Sequence, residues 1–399
     1  MKTILQLQLT RAFRFRGTFL AVIAVCFATG LVPTHAAPPS VQPLRAGKWA
    51  AVPGGTALDV KVVDNYAYVA LGAAGLAVID VRNPANPVRV GGYTNGGFTR
   101  SVAVSGRYAF VTDAAGLQVL DVRNPANPQR VGGVADAYIG TVVVLGNRAY
   151  VTRPFSGLVI YDVSNPAAPG RLGGYRPNDG DSTTDGVVVL GNYAYLWVED
   201  SGLLVIDVSN PTNCVRLGGY SALSDVSGVA VSGNYAFVAD DYGLQVVDVS
   251  NPADPVRVGG YAAGGFAGDV ALWGHHAYVT VATGLQVIDV RNPTNCVRVG
   301  GYDTSGSGYG VTVVAGRIYV ADRPAGLLVL PTLPNVQFTV RVNAMINQVF
   351  ALEASTNLSI SNSWTTLVTT NVPAMPFDFV DFDVKLSEKP QKFYRVRQP

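Results

Sequence analysis

Long amphipathic helical patterns are missing from this 399-residue chain, and so is any apolar run long enough to span a bilayer comfortably. Charged residues are scarce at 14%, and Cys, His and Met occur only three times each. The scarcity of cysteine excludes a disulfide scaffold. The two cysteines past the first 36 residues, Cys214 and Cys296, have no His or third Cys at ligand spacing, which leaves no pattern for a zinc site. Two of the histidines, His275 and His276, sit side by side where a short turn is expected, so a His-based general base has little support. No Gly-x-Ser-x-Gly elbow occurs. What the chain has in excess is glycine, at 44 residues, and proline, at 24, the punctuation of strands and turns.

Residues 1–36 read as a secretory signal: Lys2, Arg11, Arg14 and Arg16 precede an apolar run from Phe19 to Val32, and Thr34-His35-Ala36 offers a cleavage site. Cys26 follows Val25 in that run, a poor match to a lipoprotein signal. Removing this segment takes away four basic residues and no acidic one, so 25 basic and 27 acidic residues remain, a formal charge of −2. That balance argues against a nucleic-acid partner. The expectation is a secreted protein (extracellular, periplasmic or cell-surface), monomeric, with no membrane span.

The segment Gly116-Leu-Gln-Val-Leu-Asp-Val-Arg-Asn-Pro recurs with close copies starting at Gly75, Gly157, Gly202, Gly243, Gly284 and Gly326. The steps between these glycines are 41, 41, 45, 41, 41 and 42 residues, and such a period with several strand-like runs per unit indicates radial β repetition. In the unit 99–134 four strands are expected. Strand a starts at Ser101 and strand b at Tyr108, joined by Gly106-Arg107 as a type II′ hairpin. Strand c runs from Leu117, and Asn124-Pro125 turns it into strand d around Val131. Equivalent hairpin pairs are Gly146-Asn147, Gly191-Asn192, Gly233-Asn234, Gly274-His275 and Gly316-Arg317. Strand c is apolar on both faces, which requires burial between stacked sheets.

Strand d carries an arginine at one place: Arg89, Arg130, Arg171, Arg216, Arg257 and Arg298. On an outer edge these discourage edge-to-edge pairing, and the Asp ending strand c (Asp80, Asp121, Asp162, Asp207, Asp248, Asp289) is expected to pair with them across the hairpin. A basic rim for an anionic partner is the alternative. The stretch Pro43-Leu-Arg-Ala-Gly-Lys-Trp49 aligns without a gap with Pro87–Tyr93, making Arg45 the seventh arginine, while the last unit runs into Pro331 without a strand d of its own. The expected fold is all-β: a seven-bladed β-propeller of four-stranded blades over 37–332, closed by this N-terminal strand. A small β-sandwich-like domain over 333–399 follows, with strands near 336–342, 348–354, 364–370, 377–384 and 392–397.

The repeat core, as in Leu158-Val-Ile-Tyr-Asp162 and Leu203-Leu-Val-Ile-Asp207 followed by Val-Ser-Asn-Pro, resembles the LVIVD-repeat proteins. The resemblance implies a bacterial secreted or surface β-propeller and no settled activity. The tail, with Leu352–Asn357, Trp364 and Phe393–Arg397, is similar to short C-terminal β modules on secreted proteins of the Verrucomicrobia and Planctomycetes type.

The a–b and c–d turns are short and alike between units, whereas the d–a and b–c loops vary and share the other end, where binding is expected. The candidate binding residues there are Asp59, Arg100, Asp113, Arg153, Asp185, Asp240, Asp269, Asp303, Asp322 and Arg323. Phe98, Tyr138, Phe155, Tyr242, Phe266 and Tyr309 supply aromatics. Asp179 and Asp181, in the longest loop, are the local candidates for Ca²⁺, against a simply solvated loop. The expected function is a non-enzymatic interaction module for a protein or glycan. The alternative is a propeller hydrolase or lyase with carboxylates at the channel mouth, for which Asp59 and Asp269 stand out because other units have Ser, Thr or Gly there.

Overall fold

The computed structural model describes residues 47–332, apart from 95–96, 137–138, 178–182, 200, 222, 224 and 305, together with the strands named below outside that range. Residues 41–332 form one compact unit, and residues 1–40 with 333–399 form another. The first unit holds seven four-stranded antiparallel sheets, the blades of a β-propeller. Blade 2 is typical, with strands a to d at Ser101–Ser105, Tyr108–Asp113, Gly116–Asp121 and Gln129–Ala135. Each strand a lies against the strand a of the next blade, and that of blade 7, Ser307–Val314, lies against that of blade 1, Asp59–Val63, so the inner strands ring an axis. In blade 7, Gly47–Trp49 runs antiparallel to Gly326–Pro331, with Gly47 opposite Val329 and Trp49 opposite Leu327. Arg45 lies outside the described residues.

Strand c is buried on both faces throughout, as in Leu203, Leu204, Val205 and Ile206, because each blade is covered by its two neighbours. The apolar clusters run from blade to blade: Tyr195 and Trp197 of blade 4 pack with Val229, Ala236 and Val247 of blade 5. The outer wall is joined differently. In blades 1 to 5 the first glycine of the strand-d Gly-Gly pair backs onto the Asn-Pro turn of the next blade, so a Cβ at Gly91 would lie 2.2 Å from Pro125 O and one at Gly173 2.1 Å from Pro211 O. Gly47 meets Pro84 O of blade 1 in the same way, at 2.0 Å.

The a–b hairpins fit the type II′ expectation at Gly106, whose φ is 55° while the following Arg107 is not in the left-handed region. Blade 7 departs from it. Val314 pairs with Arg317, so the turn is Ala315-Gly316 rather than Gly316-Arg317, and both residues have positive φ, as in a type I′ turn. Cys214 and Cys296 are unbonded to each other, with their sulfurs over the Asn-Pro turn carbonyls.

In the second unit Phe338–Asn343 is flanked by Gln6–Leu9 and Phe377–Asp381 in one three-stranded sheet. Val349–Ser355 is flanked by Thr365–Asn371 and Phe393–Arg397 in another.

Candidate functional site

The end bearing the d–a and b–c loops opens where the inner strands begin. The residue of strand a opposite the fifth residue of strand b is Asp59, Ser101, Thr141, Gly186, Gly228, Asp269 or Gly310 in blades 1 to 7. Asp59 Oδ2 accepts from Ser101 Oγ at 2.7 Å and from Val102 N at 3.0 Å, both in blade 2. Ser101 Oγ accepts from Val142 N of blade 3 at 3.3 Å, and Thr141 Oγ1 donates to Asp185 O of blade 4 at 3.0 Å. Asp269 accepts from its own Val270 N at 2.8 Å and from Val311 N of blade 7 at 2.9 Å. The two aspartates singled out for catalysis therefore stitch one inner strand to the next, as Ser101 and Thr141 do.

Lys61 stands between them electrically. Its ammonium is 3.1 Å from Asp59 Oδ1. Burial works against the charged lysine, but the carboxylates of Asp59 and then Asp269 outweigh it and raise its pKa. Burial pushes Asp269 up to about 6, although Lys61 and the two backbone donors pull the other way. The Lys61 side chain keeps 40% exposure and Asp59 only 17%.

Two other aspartates serve the b–c turns, and a third meets a d–a loop. Asp113 Oδ1 accepts from Ala115 N (2.8 Å), Gly116 N (3.1 Å) and Gln118 Nε2 (3.3 Å). Asp240 Oδ1 repeats this with Tyr242 N (2.9 Å), Gly243 N (3.0 Å) and Gln245 Nε2 (3.1 Å). Asp322, buried, is 2.9 Å from the Thr304 hydroxyl. The first two are turn-capping roles of short polar side chains. Arg153 pairs with Asp136 at 2.9 Å, and Asp136 also accepts from Tyr161 OH at 2.6 Å. Arg323 stacks 3.6 Å over the ring of Tyr309. Asp303 is exposed at the end of strand d of blade 6.

The mouth proper is spanned by Arg100, which reaches from blade 2 past blade 3 to Asp185 of blade 4, at 3.9 Å. Asp185 occupies a bulge between Thr184 and Gly186. Burial pushes its carboxyl up to about 6; Arg100 opposes this, and Glu199 and Asp225 add to it. On either side of it, Thr184 Oγ1 and Trp197 Nε1, whose ring backs Gly186, are buried without a hydrogen-bond partner among the described residues. Around this mouth the loops expose Phe98, Phe155, Tyr242 and Phe266; among the described residues the only other exposed aromatic is Trp273, at the far end of a strand a.

Of the candidates, the structure pairs Arg100 with Asp185, while Asp59 pairs with Lys61, whose charge Asp269 also feels. Asp113, Asp240 and Asp322 are turned into turns and loops. No group of three or more His, Cys, Asp or Glu able to hold a metal occurs among the described residues, and Asp179, Asp181 and Tyr138 lie outside them. Lys61 was missed, although it is the one basic residue in the apolar alternation of that strand. The threonines at the fifth position of strand b were missed too. Thr112 Oγ1 donates to Gly140 O of blade 3 at 2.6 Å, and Thr280 Oγ1 to Tyr309 O of blade 7 at 3.2 Å.

The LVIVD repeat family matches at residues 54–95, 96–136, 138–176, 181–221, 224–263 and 264–304. The seventh blade falls outside the matched residues, consistent with its missing Asn-Pro turn. No curated protein matches the sequence. Among solved structures, a chain of the Mitotic Checkpoint Complex is 14% identical, with a TM-score of 0.60 over 78% of this chain and 99% of that one. The Cps50 (Swd1) beta-propeller domain of Myceliophteria thermophila is 11% identical, with a TM-score of 0.58 over 73% and 99%. BamB from Moraxella catarrhalis is 14% identical, with a TM-score of 0.51 over 69% and 83%. At these identities the likeness is one of fold.

Proposed function

The chain belongs to the LVIVD-repeat family, and from that premise we propose that it is an interaction module whose partner, a protein or a glycan, is gripped at the d–a and b–c loop end. The observation that carries this reading is the gathering at that one end of four of the five exposed aromatics among the described residues. Aromatic side chains supply large contact area for little lost freedom and are enriched where partners dock. The Arg100–Asp185 pair adds a polar anchor in their midst, and the burial of Asp185 makes it sensitive to what covers it.

In this reading Gly47–Trp49 acts as the closing strand of the ring, so that the frame holding the loops is rigid. The segment 1–36 acts as a bacterial secretion leader, and Gln6–Leu9 leaves with it. The chain then works as a monomer outside the inner membrane, with the C-terminal strands forming a sandwich-like spacer. The test is a glycan array and a cross-linking screen on the full chain. The variant Phe98→Ala/Phe155→Ala/Tyr242→Ala/Phe266→Ala is run beside it after its melting temperature is checked. Loss of the captured partner supports the loop end. Retention by a folded quadruple variant refutes it.

A further inference from the structure

The strand-d arginines are not neutralised as their spacing implied. Asp80, Asp121 and Asp289 pair with Arg82, Arg123 and Arg291 of their own turns, and Asp162, Asp207 and Asp248 accept from the Ser164, Ser209 and Ser250 backbone N–H groups. Among the described residues Arg89, Arg130, Arg171, Arg216, Arg257 and Arg298 make no ion pair, which leaves a belt of exposed guanidinium groups around the outer wall.

Two of them are held differently from the rest. Arg130 Nε donates to Gln118 Oε1 at 2.6 Å, and the buried Gln118 passes its Nε2 to the buried Asp113 at 3.3 Å. Blade 5 has the same chain: Arg257 to Gln245 at 2.6 Å, and Gln245 to Asp240 at 3.1 Å. Blade 6 is a natural control. Val281 stands where the Asp would be; Gln286 turns its Nε2 to Ala263 O at 3.1 Å, its buried Oε1 has no partner among the described residues, and Arg298 bonds Gly300 O at 3.1 Å instead. The Asp and Gln together thus fix where the guanidinium sits.

Arg130 and Gln118, with Tyr93 of blade 1, Ala115 and Ala135, line a cleft of about 300 Å³ between the outer strands of blades 1 and 2. We propose that this cleft is a subsite for a uronic acid, a sugar bearing a carboxylate, and that Tyr220, Gln245 and Arg257 form its counterpart between blades 4 and 5. With Nε tied to Gln118, the two amino groups of Arg130 make no hydrogen bond among the described residues and can take a carboxylate as a fork. Ala115 and Ala135 leave room for a ring, and the neutral phenol of Tyr93 suits a sugar hydroxyl. The Asp113 carboxylate behind Gln118 opposes a dianion such as a phosphate more than a singly charged carboxylate. The two copies stand three blades apart on one ring, so each takes a ligand of its own.

The test is titration of the full chain with trigalacturonate, read by calorimetry, beside neutral maltotriose and a short DNA duplex. Binding of the uronate but not the neutral sugar is expected. Arg130→Gln and Arg257→Gln should each take one of the two sites out of the titration, and the double variant should weaken binding about 10- to 100-fold, the loss of charge-assisted hydrogen bonds. Arg130→Lys, which keeps the charge but not the fork, should be intermediate. Gln118→Leu, a positioning change, should weaken binding with Arg130 intact, and Arg298→Gln should change nothing. The exposed arginines leave the fold unburdened, and an unchanged melting temperature confirms that for each arginine variant. No uronate binding by the wild type overturns the proposal. So does equal loss in Arg130→Gln and Arg298→Gln, or DNA bound more tightly than the uronate, since either marks an unspecific basic belt. The loop-end quadruple variant should still bind trigalacturonate, so failure here and failure of the loop-end reading are separate results.

Discussion

Substituting Gly47 by alanine tests whether three residues near the start of the chain complete its last blade. Gly91 is the reference: it has no left-handed backbone, yet a Cβ there would come 2.2 Å from Pro125 O and 2.8 Å from both the carbonyl carbon and the oxygen of Ala126. Such contacts fall well inside what a carbon atom tolerates against backbone, and neither partner is a flexible side chain. The two blades must part by an ångström or so, or strand d must pull off strand c. Overpacking of this kind costs about 1–3 kcal/mol. In a unit of this size each kcal/mol moves the melting temperature by about 2–4 °C. Gly47 faces the same obstacle at 2.0 Å from Pro84 O, with the Ala85 carbonyl carbon and oxygen at 2.9 Å, so Gly47→Ala should match Gly91→Ala within error. Gly106→Ala calibrates the opposite case. Its φ of 55° is costly for alanine, by about 1–2 kcal/mol, but nothing lies within 4 Å of the added carbon. Thermal unfolding followed by circular dichroism on the three variants decides the matter. A Gly47→Ala protein that melts like the wild type, beside a Gly91→Ala protein that does not, would remove residues 47–49 from the outer edge of blade 7.

Two further predictions rest on buried polar groups. Thr112→Val strands Gly140 O and weakens the seat of Ser101 N, and should cost about 1–3 kcal/mol by denaturant unfolding. Thr184→Val, which removes a buried hydroxyl with no partner among the described residues, should be neutral or stabilising, and equal losses in the two would refute the stitching role. Asp185 gives a pH signature. Its folded pKa is raised above the ordinary carboxylate value, to about 6, so its charge weighs against the fold above pH 6 and the burden lifts as pH falls through 6 toward 4. Asp185→Asn should therefore melt higher than the wild type at pH 8 and alike near pH 4; a difference of the same size at both would show that burial of the charge is not the cause.

The period, the four strands per unit and the two-faced burial of strand c were legible because each follows from spacing alone. The pairing of the arginines was not, and the reason is register. Across the strand c–d ladder Asp121 faces Gln129, whereas Arg130 faces Leu120, so Arg130 shares a side of the sheet with Gln118 and not with Asp121. Proximity in the hairpin put the two charges together on paper, and a one-residue offset put them on opposite faces. The hairpin of blade 7 was displaced by the same margin, at Ala315-Gly316.

Asp59 and Asp269 show the other limit. They stood out by departing from the Ser, Thr or Gly of other units, but Ser101 bonds forward to the next blade just as they do, so a different residue type did not mean a different task. Seven copies of one frame offer a better comparison when partners are read as a set. Asp113, Gln118 and Arg130 recur at the same intervals as Asp240, Gln245 and Arg257, and the chain of hydrogen bonds forms only where all three are present. Where Val281 breaks the set, the glutamine and the arginine each turn to a different backbone carbonyl. A lone aspartate in a repeat is thus weak ground for chemistry, whereas a co-occurring trio whose outermost member is an exposed cation points to a surface shaped for something outside the chain.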